Sequence, residues 1–195
     1  MESIGRFLEK RLRLRVNREK SAVDRPWRRE FLGYTMTWHR QPRLKVSLDS
    51  IQRIKGKIRE LMGKARGGSL TKVIEELVPL LRGWINCFRL SSVQIAFEEL
   101  DEWIRRRLRC IIWQHWKKPR TRAKRLIEKG IERETAYLSA YNGRGAWWNA
   151  GAAHMHFAFP TKWFTQHGLI SLPSQHYRFQ NLSRTAVCRP ARTVV

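Results

Sequence analysis

Four acids stand close together at Glu98, Glu99, Asp101 and Glu102, a grouping that could hold a divalent ion. Metal-assisted phosphoryl transfer needs carboxylates near enough to share such ions. On a helix, however, Asp101 lies one turn before Arg105 and Glu102 one turn before Arg106, so these acids read first as surface ion pairs. Asp24 and Asp49 fall on a turn and at a helix start, far from Asp101 in the chain. His154 and His156 have the spacing of a zinc pair, but no further Cys or His stands at ligand spacing to complete it. Cys87, Cys110 and Cys188 are odd in number and form no Cys-x-x-Cys pair, which argues against a disulfide framework and a structural zinc site. His39 and His115 sit among aromatics, in contexts that suit packing or base stacking rather than Asp-His-Ser catalysis. The segment from Gly63 to Gly68 lacks the Gly-Lys-Ser/Thr ending of a phosphate loop. The sequence therefore assigns no catalytic residue, no metal and no cofactor.

Cation chemistry is what remains. Between Trp103 and Arg133 stand twelve Lys and Arg residues against two acids, interleaved with tryptophans and aliphatics at helical spacing. The whole chain of 195 residues carries 40 Lys and Arg against 16 Asp and Glu, a formal charge of +24. Self-repulsion at this charge disfavours a lone compact fold, and a phosphate polyanion relieves it. Arg105, Arg106 and Arg109 are placed on the solvent side of a long helix, with Lys117, Lys118, Arg120 and Arg122 continuing the patch around its end at Pro119. Lys124, Arg125 and Lys129 extend it by one helix. Arginine predominates, which suits bidentate phosphate gripping and stacking on bases. Trp147 and Trp148 follow Arg144 and Gly145 in an expected loop, where an aromatic ring can stack on an unpaired base. A bilayer is the other anionic partner, but no segment offers roughly 18 apolar residues in a row and no signal peptide opens the chain. Together with the free cysteines this leads to the expectation of a cytoplasmic protein with no membrane partner.

The elements that must position these residues are mainly helical. Ile4, Phe7, Leu8, Leu12 and Leu14 predict a short amphipathic helix. Arg15–Val23 and Phe31–Trp38 read as two strands around a turn at Asp24–Trp27, a ribbon too small to be stable alone. From Ser47 the period changes. Ile51, Ile54, Ile58 and Leu61 define one helix behind a Ser47 or Asp49 cap, ended by Gly67-Gly68. Ser69 starts a second, with Val73, Leu77, Leu80, Leu81, Trp84, Ile85 and Phe88, kinked or restarted at Pro79. The third runs from about Val93 to Trp116, its stripe formed by Phe97, Leu100, Ile104, Leu108, Ile111 and His115, so the three form a bundle. Trp84, Phe88, Phe97, Trp103 and Trp113 belong to its packing. One or two shorter helices split at Gly130 follow, then a Gly- and aromatic-rich stretch, Tyr141–Trp148, and from residue 173 an irregular tail.

Three ordered blocks carry a resemblance: Phe31-Leu32-Gly33-Tyr34 after Val16-Asn17-Arg18-Glu19-Lys20-Ser21, Leu81-Arg82-Gly83-Trp84-Ile85-Asn86 with Phe88, and Leu100-Asp101 with Trp103-Ile104-Arg105-Arg106-Arg107-Leu108-Arg109. Over most of its length the chain resembles the C-terminal part of group II intron-encoded reverse transcriptases. That resemblance implies a remnant of the polymerase palm at residues 1–46, a helical maturase-specific thumb, domain X, at 47–118, the rest of the maturase domain at 119–172 and a tail at 173–195. It implies group II intron RNA as partner, help in intron folding and splicing, and a possible homodimer. The family's Tyr-x-Asp-Asp motif has no match here, so the expectation is a non-catalytic RNA-binding fragment. Cys87 stands where the family usually has an aromatic. Three alternatives remain open: one piece of a split RNA-directed DNA polymerase that works with an upstream fingers and palm fragment docked on the exposed ribbon edge, a generic basic nucleic-acid-binding protein, or a non-functional remnant.

Overall fold

The computed structural model describes residues 2–15, 17, 24–64 and 68–187. Its architecture is mainly helical with one small β-ribbon. Helix α1, Glu2–Leu12, forms as its spacing predicts, yet Ile4, Phe7, Leu12 and Leu14 are each more than half exposed. A single 3-10 turn at Pro26–Arg28 leads to strands β1, Tyr34–Met36, and β2, Leu44–Val46, which pair antiparallel with Thr35 opposite Lys45. A ribbon thus exists among the described residues, pairing part of the Phe31–Trp38 segment with a strand that follows it. The expected strand Arg15–Val23 lies largely outside the described residues.

Helix α2, Leu48–Lys64, begins where expected: Ser47 Oγ accepts the Ser50 backbone N–H at 3.1 Å, a side-chain cap on an otherwise orphaned donor. The Phe31-Leu32-Gly33-Tyr34 block holds the ribbon to the helices. Gly33 has φ +82° and a Cβ there would meet Ser50 Oγ at 2.8 Å and the Phe88 ring at 2.9 Å, so both its backbone and its surroundings require glycine. Its carbonyl accepts from Ser47 N at 2.8 Å, while the Tyr34 hydroxyl donates to the Cys87 carbonyl at 2.6 Å. That bond ties β1 to the end of α3, Leu70–Cys87, which runs through Pro79 as one helix and carries the Cys87 thiol on its exposed side.

Helix α4, Ile95–His115, is the centre of the molecule and packs against α2, α3 and two later helices, α7 at Ala146–Ala150 and α10 at Leu172–Val187. Surrounded in this way, it buries residues on more than one face. Helices α5, Pro119–Glu128, and α6, Arg133–Ala140, pack on each other across the Gly130 turn. Two short helices, α8 at Ala153–Ala158 and α9 at Thr161–Gln166, complete the wall. One apolar core runs from Val46 to Leu172, with Phe97, Leu108, Trp113 and Phe164 almost fully buried. No helix among the described residues is long and apolar enough to cross a membrane.

The expected irregular tail is a helix as far as Val187; residues 188–195, with Cys188, lie outside the described residues. Helix α10 escapes an apolar-period reading because polar side chains carry part of its packing. His176 stacks on Phe97 at 4.3 Å, and its Nε2 and the Gln180 amide both bond the Ser91 carbonyl, at 2.7 and 2.9 Å.

Candidate nucleic-acid interface

The position of α4 decides the fate of its arginines. Arg109, expected to face solvent, is instead 2% exposed, and its Nε donates to the Phe159 carbonyl at 3.0 Å beneath the join of α8 and α9. Burial, and then the charge of Arg105, lower its pKa to about 10, so it stays cationic at neutral pH while unable to reach a phosphate. Arg105, also expected to face solvent, is largely buried. It pairs with the Asp101 carboxylate as its spacing predicts, but Asp101 is 3% exposed and also accepts the Leu172 backbone N–H at 3.2 Å, so the pair anchors the start of α10. Burial raises the Asp101 carboxyl, opposed by Arg105 and that N–H. The expected surface ion pair is therefore an internal one.

Arg106 is half-buried and turns toward α7. Its Nη2 donates to the Trp147 carbonyl at 3.2 Å, and its guanidinium lies 4.3 Å from the Trp147 ring centroid. Arg107 stands 5.9 Å from the same ring and 5.7 Å from Trp103. Trp103 in turn faces two cations of α2, Lys55 at 5.6 Å and Arg59 at 5.3 Å. A row of alternating cations and indoles thus crosses three helices: Lys55 and Arg59, Trp103, Arg107, Trp147, Arg106. At its α7 end Arg144 covers Trp148 at 4.1 Å. Cation–π contacts of this kind contribute on the order of 0.5–1 kcal/mol at exposed sites. Their larger effect is orientation: Arg106 is held by its Nε and Nη2 on the Trp147 carbonyl, which leaves its Nη1 side for a phosphate oxygen.

Sequence reasoning missed Lys55, Arg59, Arg107 and Arg144 as members of a site and placed Trp103 in the packing. Trp103 to Arg107 and Lys55 to Arg59 are i, i+4 pairs, so each half of the row was visible on its own helix. Their meeting across α2 and α4 was not. Trp147 and Trp148 occupy α7 rather than the expected loop, because buried Asn149 folds the preceding turn beneath it, donating to the Arg144 and Gly145 carbonyls at 2.9 and 3.2 Å. Both tryptophans are partly exposed, at 39% and 44%, each with a guanidinium over its ring.

The α5 end of the patch differs. Lys117, Lys118, Arg120, Lys124 and Arg125 are exposed, with Arg125 on Glu128 at 2.9 Å. Arg122 folds back onto the end of α4, its Nε on the Trp116 carbonyl at 2.8 Å and its guanidinium 4.9 Å from Trp113, and burial lowers its pKa. Lys129 lies over Phe159 at 5.2 Å and Trp163 at 5.7 Å. His154 is half-buried against Trp113, 5.3 Å away, and burial lowers its pKa, as it does for His156. Among the described residues no group of three or more His, Cys, Asp or Glu is placed to hold a metal ion.

Residues 51–129 match the family model described as group II intron, maturase-specific domain. The matched span runs from the first turn of α2 through α5 and contains Lys55, Arg59, Trp103, Arg106 and Arg107; α7 lies beyond it. No curated protein matches the chain.

Proposed function

We propose that this chain, which carries a group II intron maturase-specific domain, binds structured group II intron RNA and helps it fold and splice without polymerase chemistry of its own. The observation that supports this most is the cation and indole row across α2, α4 and α7. It combines held guanidiniums that can meet phosphates with two partly exposed tryptophans that can meet unstacked bases, contact types that structured RNA offers a protein. The exposed cations from Lys117 to Arg125 add non-specific attraction along one side. In this reading the splicing chemistry belongs to the RNA, and the protein neutralises phosphates and holds RNA helices in register.

The test is competitive binding of the purified chain to folded group II intron RNA, an unrelated structured RNA of equal length and duplex DNA, at near-physiological salt. A clear preference for the intron is expected. Equal affinity for all three would replace this reading with generic polyanion binding.

One observation favours a second reading, in which an upstream fingers and palm fragment docks on the N-terminal region and completes an RNA-directed DNA polymerase. Phe31, Leu32, Trp38 and Leu48 are between 74% and 80% exposed, and the α1 stripe is exposed as well. Large apolar side chains left open together mark an interaction surface. Co-purification of the chain with such a fragment, abolished by Leu32→Asp, is the outcome this reading requires.

A further inference from the structure

The turn between α5 and α6 opens onto a cavity of about 380 Å³ bordered by α8, in the size range of small-ligand sites. Its apolar wall includes Ile131 and the ring of Phe157. Phe157 is 63% exposed, so its side chain is open to a ligand. Gly130, at φ +88°, brings the turn close under that ring: a Cβ there would stand 3.9 Å from Phe157 Cε1. The polar side of the cavity is Glu132, Thr135 and Ser139, which successive helical turns place on one edge of α6. The Thr135 hydroxyl lies 3.5 Å from Glu132 Oε2. His154 also lines the cavity, and its Nε2 is buried with no hydrogen-bond partner.

Glu132 is the informative residue, because it sits between Lys129 and Arg133 in a chain with 40 cations and 16 acids. Toward phosphate a carboxylate there is only repulsive. Toward a base edge it is useful, since carboxylates accept from the amino groups of bases. Guanine presents N1–H and N2–H side by side, which matches the two oxygens of one carboxylate. Adenine and cytosine set their amino group beside an acceptor, and uracil flanks its single N–H with two carbonyls. An aromatic face beside hydrogen-bonding groups is how proteins hold a base that has left its helix.

We propose that this cavity takes one unpaired guanine of the bound RNA, with its face against Phe157, its Watson–Crick edge on Glu132, and the Thr135 and Ser139 hydroxyls serving its remaining acceptors. This rests on the RNA-binding reading above and adds a base preference to it. The site lies outside the matched family span, and none of Glu132, Thr135, Ser139 or Phe157 takes part in the cation and indole row.

The probes are short oligoribonucleotides of uridine with one central position varied among guanine, adenine, cytosine and uracil, titrated against the full chain, with the folded intron RNA titrated in parallel. The guanine oligomer is expected to bind about tenfold more tightly than the all-uracil one, the scale of one bidentate base contact. Glu132→Gln should abolish that difference and leave the all-uracil affinity within a few-fold of its starting value. Phe157→Ala should weaken the guanine oligomer; both residues are exposed, so the variants should melt with the parent. Equal binding of all four oligomers, a preference for another base, or a uniform tightening by Glu132→Gln would overturn the proposal while intron binding stood. Failure of the intron RNA itself to bind would overturn both readings, so the two failures are distinguishable.

Discussion

The arginines of α4 and the cations around the start of α5 carry the same formal charge and stand within one run of sequence, yet the structure uses them in opposite ways. On α4 three of the four guanidiniums are fixed: Arg105 on Asp101, Arg106 on Trp147, Arg109 on the Phe159 carbonyl. Around α5, Lys117, Lys118, Arg120 and Lys124 are exposed, on a helix whose buried side is little more than Ala123 and Leu126. The difference follows from how many neighbours each helix has. A central helix must satisfy its charges internally or expel them, whereas a peripheral one leaves them in water, where side-chain entropy keeps them loose and salt screens them. Fixed charge confers geometry and free charge confers range, so the two regions should fail differently when altered.

The largest expected effect is at Arg109. Arg109→Ala leaves the Phe159 carbonyl unpaired and a void beneath α8 and α9, and should destabilise the fold by about 2–3 kcal/mol, read from urea denaturation. Arg109→Ala that melts like the parent would break the distinction between the two regions at its strongest point. Next comes Trp147. Trp147→Ala removes a stacking surface and releases Arg106, and should weaken intron RNA binding by roughly 1–2 kcal/mol with the salt dependence of binding unchanged. The pair Lys117→Ala with Lys118→Ala should do the reverse. Affinity falls a few-fold, the slope of log K against log salt becomes shallower by about 1.5, and the melting transition stays where it was.

These contrasts also explain which parts were legible beforehand. Helices α2 to α6 followed from apolar period, Ser47 and the Gly130 break, because there burial and sequence pattern agree. The Arg105, Arg106 and Arg109 group was misplaced because helical period was read as one buried face and one wet face, which fails for a helix packed against four others. Helix α10 was missed since its contacts use His176 and Gln180, residues that count as polar in any periodicity. The pairing strand Leu44–Val46 was not read, because three residues are too short a run to show an alternating pattern. The cation and indole row was half legible: its i, i+4 halves are in the sequence, and the crossing of α2, α4 and α7 that joins them is a property of the fold.

The smallest expected effect is also the sharpest test of whether geometry matters apart from charge. Gly151, just after α7, has a backbone that any residue can adopt, at φ −100° and ψ 0°, but a Cβ there would stand 2.8 Å from Arg106 Cζ. The clash is with the end of a flexible side chain, so in Gly151→Ala the guanidinium should leave the Trp147 ring rather than the fold giving way. Stability should change by no more than about 0.5 kcal/mol, or rise slightly through the stiffer unfolded chain. The charge is retained, so the salt slope should not move. If RNA affinity nevertheless drops several-fold, Arg106 acts by its position, as a fixed cation should. An unchanged affinity would mean that Arg106 contributes only its charge, and the boundary between fixed and free cations would then exclude it from the working part of α4.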